Sequence, residues 1–156
     1  KEEEIGQQNQ FVEKIKKYVN NDQRVVEICG KIESEISILE SDEDKKEFME
    51  AVGIKESSLD ILTEKTYLML GLRTFFTAGE KEVKAWTIPI GFSAQKAAGV
   101  IHSDFEKGFI KAEVIPFEMF IKYGSNLKVK EAGKMKVEGK DYLVKDGDII
   151  YFRFNV

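Results

Sequence analysis

The chain has 156 residues, 42% of them hydrophobic and 33% charged, which suits one or two small domains with a real core. No apolar run approaches the ~20 residues of a membrane-spanning helix, and the opening Lys1-Glu2-Glu3-Glu4 does not read as a secretory signal. One histidine and one cysteine, Cys29, exclude an internal disulfide and a usual four-ligand zinc site, and fit a reducing, cytosolic setting.

The net charge of -4 is uneven. Residues 1–71 carry 10 Lys/Arg against 17 Asp/Glu, whereas residues 72–156 carry 14 against 11. A nucleic-acid surface is therefore expected only in the second part, and only if its lysines share a face.

Residues 1–8 are polar. From Asn9 the spacing predicts a helix with Phe11, Val12, Ile15, Tyr18 and Val19 on one apolar stripe, ending at Asn20-Asn21-Asp22. Val25-Val26-Glu27-Ile28-Cys29 is short, apolar and β-branched, and predicts a buried strand stopped by Gly30. Helical spacing resumes through Ile32, Glu35, Ile36 and Leu39. Ser41 or Asp42 caps a third helix, with Phe48, Met49 and Val52 inward and Gly53 as its stop. Ser57 or Ser58 caps a fourth, with Leu59, Leu62, Thr66, Met69 and Leu70 inward, closed by Gly71. Helix, strand, glycine turn and helix make an α/β unit, but residues 1–71 offer no partner strand. Unpaired backbone in an apolar layer is costly. The expectation is that the chain begins partway through a larger α/β domain, and Lys rather than Met as first residue fits that.

At Leu72 the pattern changes to alternation. Arg73 to Ala78 and Glu82 to Ile88 flank Gly79-Glu80-Lys81 and predict a hairpin. Ser93 caps a helix with Ala94, Ala97, Ala98 and Ile101 inward. Ile110 to Ile115 is a third strand. Pro116 starts a helix with Phe117, Phe120 and Ile121 inward and Gly124 as its stop, and Leu127 to Ala132 is a further short helix. Tyr142-Leu143-Val144, the turn Lys145-Asp146-Gly147-Asp148, and Ile149 to Phe154 predict a final hairpin. The fold class is α+β, with one sheet and its helices over residues 72–156.

Four patterns could carry chemistry. His102-Ser103-Asp104 holds the residue types of a hydrolytic triad, but consecutive side chains point apart, so His102 reads as a structural or surface-contact residue. Asp146-Gly147-Asp148 lacks the later ligands of a calcium loop and reads as a turn. Gly30-Lys31 and Gly133-Lys134 lack the Ser/Thr and the earlier glycine of a phosphate loop, so P-loop hydrolysis by this chain alone is excluded. Lys84, Lys96, Lys107, Lys111, Lys122, Lys128, Lys130, Lys134, Lys136, Lys140 and Lys145 lie among Phe75, Phe76, Trp86, Phe105, Phe109 and Tyr123. Such interleaving suits RNA, held by phosphate contacts and stacking, and equally suits core aromatics beneath solvated lysines.

Several motifs in order are distinctive: Thr74-Phe75-Phe76-Thr77-Ala78-Gly79, Glu82 to Thr87, and Gln95-Lys96-Ala97-Ala98-Gly99 leading into Ile101-His102-Ser103-Asp104-Phe105-Glu106-Lys107-Gly108-Phe109. Gly139-Lys140-Asp141-Tyr142 and Val144 to Asn155 complete the set. Residues 72–156 thereby resemble the C-terminal TGS domain of the YchF/Obg-like ATPase family. Val26-Glu27-Ile28-Cys29-Gly30-Lys31-Ile32-Glu33 is similar to the last strand and base-side loop of that family's nucleotide-binding domain.

The resemblance implies a C-terminal β-grasp (ubiquitin-like) TGS domain over 72–156, preceded over 1–71 by a mostly helical α/β remnant of a P-loop nucleotide-binding domain. Backbone groups of Cys29, Gly30 and Lys31 would touch the purine base. The phosphate loop and switch regions would lie upstream. The intact parent would be a cytoplasmic monomer, without membrane attachment, that hydrolyses ATP or GTP with Mg2+ and associates with ribosomes. This chain alone is expected to hold no cofactor, metal or catalytic residue. The TGS domain would recognise ribosome, RNA or protein, with His102, Lys107, Lys111 and Lys134 as candidate contacts. The alternatives are a stand-alone β-grasp interaction module without nucleotide chemistry and a small hydrolase using His102.

Overall fold

A computed structural model describes residues 9–20, 24–79 and 82–155. It divides into two units, Lys1–Leu70 and Gly71–Val156. Among the described residues no helix is long and apolar enough to cross a membrane.

The first unit is helical, with α1 (Gln10–Val19), α2 (Gly30–Ser37), α3 (Asp42–Ala51) and α4 (Ser58–Met69). Its helix ends follow local chemistry. The Asn9 side chain accepts from the Phe11 N–H at 2.9 Å, and Ser41 accepts from the Asp44 N–H at 3.0 Å. Asp42, Glu43 and Asp44 place negative charge on the first turn of α3. The start of α4 is held from a distance. Ser57 accepts from the Leu59 N–H at 3.1 Å, while Glu33 of α2 accepts from the Ser57 hydroxyl and the Ser58 N–H, each at 2.7 Å. Glu33 is only 7% exposed. Burial alone would raise its carboxyl, but hydrogen bonds from Ser57 and Ser58 outweigh that and hold it below the usual range.

Two expectations for this unit are corrected. Val25–Cys29 is not a strand. Val25 and Val26 are half-buried, Glu27 and Ile28 are exposed, and the Val25 carbonyl accepts from the Lys65 ammonium at 2.9 Å. A strand exists only through its partner's ladder, and the described part of this unit supplies none, so apolar β-branched residues alone do not make one. The mostly helical reading of 1–71 stands without its β component. The apolar stripes of α1 and α4 are also largely exposed, up to 91% at Tyr18, with Phe11, Ile15, Leu59, Leu62, Met69 and Leu70, while Val12 and Val19 are half-buried. Periodicity shows which side of a helix is apolar, not what covers it. Ile32 and Ile36 are the buried hydrophobics among this unit's described residues.

The second unit is a five-stranded sheet with helices, built from β1 (Leu72–Ala78), β2 (Val83–Pro89), α5 (Ala94–Ile101), α6 (Ser103–Lys107), β3 (Phe109–Pro116), α7 (Phe117–Tyr123), α8 (Asn126–Glu131), β4 (Lys136–Glu138) and β5 (Asp148–Phe154). The strand order is β2-β1-β5-β3-β4. β1 and β2 pair antiparallel, with Leu72 opposite Pro89 and Ala78 opposite Val83. Of the expected turn between them, Glu80 and Lys81 lie outside the described residues. β5 runs parallel to β1 and antiparallel to β3, and β4 lies antiparallel on the other side of β3.

Strand alternation divides the core in two. On the first face Phe75, Ile88, Ala112, Val114 and Ile150 pack with Ala94 and Ala97 of α5, whose small side chains let the helix approach the sheet. On the second face Ile115 and Ile149 pack with Val129 of α8 and with Met119, Phe120 and Tyr123 on and beside α7. Fully burying a side chain such as Phe75, Ile88 or Ile150 contributes about 1.5–3 kcal/mol. Asn126 of α8 donates to the Tyr151 hydroxyl, which donates to the Ala78 carbonyl.

Two further expectations change. The final hairpin does not form. Leu143 makes only an isolated bridge with Ser93, and β5 pairs with β3 and β1 instead. Its turn is stitched elsewhere. Asp146 accepts from the Thr74 N–H at 2.7 Å, the Gly147 N–H donates to the Thr74 carbonyl at 2.9 Å, and buried Asp148 accepts from the Lys145 N–H and the Tyr142 hydroxyl, each at 2.8 Å. In α7 the packed residues are Met119 and Phe120 with Tyr123, whereas Phe117 and Ile121 are exposed.

Candidate functional site

The stretch from Gly99 to Ile110 is a helix–helix corner clamped onto the end of the sheet. Ser93 caps α5 by accepting from the Lys96 N–H at 3.4 Å. His102 ends α5 and caps α6, its Nδ1 accepting from the Asp104 N–H at 3.2 Å and lying 3.4 Å from Asp104 Oδ2. That engagement gives His102 a capping role, and among the described residues its ring partners are Asp104 and Phe105, neither a hydrolytic nucleophile. The Phe105 ring stacks on Phe154 at 3.8 Å between centroids, and Gln95 Nε2 donates to the Glu106 carbonyl at 3.0 Å.

Of the two glycines of the stretch, Gly108 is set by close approach to backbone, whereas Gly99 faces the movable Glu106 side chain. A β-carbon on Gly108 would lie 1.8 Å from the Asn155 carbonyl oxygen, and one on Gly99 would lie 2.5 Å from Glu106 Oε2. Gly108 has φ -90, so contact rather than backbone conformation demands glycine there.

A β-bulge follows the corner. Phe109 lies opposite Phe154, but Lys111 lies opposite Arg153, with the irregularity between them. Two residues of β3 advance against one of β5, which resets the alternation. Phe109 packs on the first core, whereas Lys111 falls in register with Arg153, on the face that carries Tyr151, Ile149 and Ile115. The four contact candidates therefore do not form one face. His102 and Lys107 sit on α6, beside the first face. Lys111 lies on the second. Lys134 follows Gly133, whose φ of 67 ends α8, and its N–H donates to the Val129 carbonyl at 3.0 Å. Gly133-Lys134 is thus a helix stop.

The second face joins the candidate Lys111 to two residues that the sequence did not single out, Glu113 and Arg153. Arg153 forms a two-pronged contact with Glu113, Nη2 to Oε2 at 2.9 Å and Nε to Oε1 at 3.3 Å. Lys111 Nζ lies 4.0 Å from Glu113 Oε1. The Arg153 hydrogen bonds hold the Glu113 carboxyl below its usual range, against its partial burial, and the charges of Arg153, Lys111 and Lys130 add to this. The i, i+2 spacing of Lys111 and Glu113 was readable as one face of a strand. Arg153 lies 40 residues from Glu113, and no local pattern links them.

The aromatic residues among the lysines mostly serve the core. Phe75 is buried, and Trp86 and Phe109 pack against the first core. Trp86 Nε1 donates to Thr77 Oγ1 at 2.9 Å, and the Lys84 ammonium sits 4.0 Å from the Trp86 ring centroid. In the first unit Cys29 is the residue before α2, giving no side-chain cap, and Gly30 opens the helix. The Lys31 ammonium lies 3.9 Å from Glu35. Among the described residues no three His, Cys, Asp or Glu side chains are grouped to hold a metal ion.

A family model, YchF-GTPase_C, described as "Protein of unknown function (DUF933)", matches residues 72–155. The ribosome-binding ATPase YchF of Bacillus subtilis is 52% identical over 149 residues, covering 95% of this chain and 40% of that protein. The ribosome-binding ATPase YchF of Pasteurella multocida is 57% identical over 132 residues, covering 85% of this chain and 36% of that protein. Among solved structures, the YchF GTPase of Schizosaccharomyces pombe is similar with a TM-score of 0.75 and 32% identity, over 94% of this chain and 39% of that one. The chain spans about two fifths of the length of these relatives.

Proposed function

This chain belongs to the YchF family, and from that membership we propose that it supplies the C-terminal part of a cytoplasmic, ribosome-associated protein that binds and hydrolyses ATP or GTP. The carrying observation is the 52% identity, over 95% of this chain, to a protein named as a ribosome-binding ATPase. Residues 1–71 are the end of the nucleotide-binding domain, where backbone groups of Cys29, Gly30 and Lys31 lie beside the purine. Residues 72–156 are a TGS domain of β-grasp type, the module that recognises ribosome or RNA. A sheet with α5 packed across one face supports that reading. The contact candidates are His102 and Lys107 on the corner and Lys111 and Lys134 on the other side. The parent is proposed to act as a monomer.

Neither Gly-Lys pair of this chain fits a phosphate loop. Ile32 and Met135 stand where a phosphate loop needs Ser or Thr after its Gly-Lys. No catalytic step is assigned to this chain.

Co-sedimentation with purified ribosomes across a salt series tests the reading. The expected result is association at low salt that weakens as salt rises. Full recovery of the chain in the supernatant at every salt concentration would remove ribosome recognition from it.

A further inference from the structure

We infer that the open part of the second sheet face is an RNA-phosphate contact site, formed by Lys111 of β3, Arg153 of β5 and Lys130 of α8 around Glu113. This rests on the ribosome-associated reading and deepens it, by choosing the face and the chemistry that meet the partner.

The arrangement is that of a held receptor rather than scattered charge. Glu113 is the shielded member, its side chain 17% exposed, while Arg153 and Lys111 stand above it at 59% and 44%. The carboxylate grips Arg153 through both Nε and Nη2. A guanidinium has more N–H donors than one carboxylate can take, so Arg153 keeps donors for a second acceptor. Its rotamer is settled before any ligand arrives, which lowers the ordering cost of binding. Lys111 is the cross-strand neighbour of Arg153, and Lys130 is close enough for its charge to act on Glu113. Lys111 and Arg153 around one carboxylate leave a positive excess on this sheet face, to which the charge of Lys130 on α8 adds, and that suits phosphate oxygens.

RNA is favoured over an acidic protein by what the patch lacks. Protein interfaces centre on an aromatic or aliphatic anchor. Here the centre is charged: Val137, opposite Glu113 on β4, is exposed beside it but offers only a small aliphatic side chain, and Phe76, Phe120, Tyr123 and Tyr151 pack against the second core. The same packing leaves no stacking platform among them, so the contact reads phosphates rather than bases, and binding is insensitive to sequence.

The test titrates the full chain with a short single-stranded RNA of mixed sequence and, in parallel, co-sediments it with ribosomes, each across a salt series. Wild type is expected to bind both. In the RNA titration, Lys111→Ala with Arg153→Ala should lower the log–log salt slope by about 1.4, and Lys130→Ala alone by about 0.7. Lys140→Ala, which removes a charge elsewhere on the same unit, should leave the slope unchanged. Glu113→Gln raises the net charge by one, yet should weaken binding by roughly 2–10-fold because Arg153 loses its grip. Arg153→Lys, which keeps the charge and removes the fork, should weaken binding with little change in slope, and it stands in if the double variant fails to fold.

A wild-type slope in the folded double variant overturns the site. Tighter binding by Glu113→Gln overturns the held receptor. Ribosome association that these variants weaken, without RNA binding by the wild type, points to an acidic protein and also overturns the inference. RNA binding with the expected variant pattern, but no ribosome association, supports the site while rejecting the ribosomal reading on which it was built.

Discussion

The two units of this chain hold themselves together by different means. The first has a thin apolar core around Ile32 and Ile36, and α2 reaches α4 through a buried carboxylate bridging Ser57 and Ser58. The second has two packed faces on one sheet, with Phe75, Ile88, Val114 and Ile150 among the side chains fully out of water. Polar stitching is directional and depends on protonation, whereas apolar packing depends on shape. Acid removes a carboxylate contribution from both units, at Glu33 in the first and at Glu113 in the second. The first has less apolar core to fall back on and should loosen first, while the second is the part that steric intrusion should break.

The largest expected effect is Gly108→Ala. Its β-carbon would meet the Asn155 carbonyl at 1.8 Å, and backbone cannot step aside as a side chain can. A loss of about 3 kcal/mol is expected, the upper end of ordinary overpacking. Urea denaturation followed at Trp86, which lies in the second unit, would report it as a lower midpoint, and an unmoved midpoint would refute the close approach. The loss should be confined to the second unit, leaving helical signal from the first.

Next in size is Glu33→Gln, which weakens the link between α2 and α4. A cost of about 1–2 kcal/mol is expected, confined to the first unit. The pH dependence sharpens this. The folded Glu33 carboxyl titrates below its ordinary 4.5. Its contribution is therefore complete above pH 4.5 and is lost as pH falls through the depressed folded value. In an acid titration, helical signal from the first unit should fall before the Trp86 signal of the second. The Gln variant should lack that Glu33-linked component, and identical acid profiles for variant and wild type would discard the assignment.

The smallest effect is His102→Ala, which removes an exposed cap from a short helix. About 0.5 kcal/mol is expected, at the low end for cap removal. A thermal melt would show a shift of a few degrees at most. Loss of folding would mean that the corner depends on the ring itself and not on its single hydrogen bond.

Within each unit, what could be read along the chain was what local chemistry decides. Ser41, Ser57 and Ser93 stand at helix starts because a short polar side chain can satisfy a first-turn N–H. Gly53, Gly71 and Gly124 stand at ends because they take positive φ. The alternation from Leu72 announced strands, and the contact candidate Lys111 was correctly on a strand, though not beside His102. The bulge after Phe109 separated them, and no residue type marks it in advance. Phe117 and Ile121 exchanged places with Met119 as the packed residues of α7, because the docking angle of a short helix is set by the sheet beneath it and not by its own spacing.

Sequence alone determined the break near residue 71, the α+β character, the helix caps, and the motifs that tie this chain to its family. Each depends on residues close together, or on a pattern long enough to be recognised as a whole. Only the tertiary structure decided that Val25–Cys29 finds no strand partner among the described residues, that β5 pairs with β3 and β1 instead of folding back on Tyr142–Val144, and that Glu113 grips an arginine 40 residues away. Strand pairing and long-range ion pairs are chosen by competition among all segments that could meet. Their energies arise only when both partners are in place, so neither partner alone carries the signal.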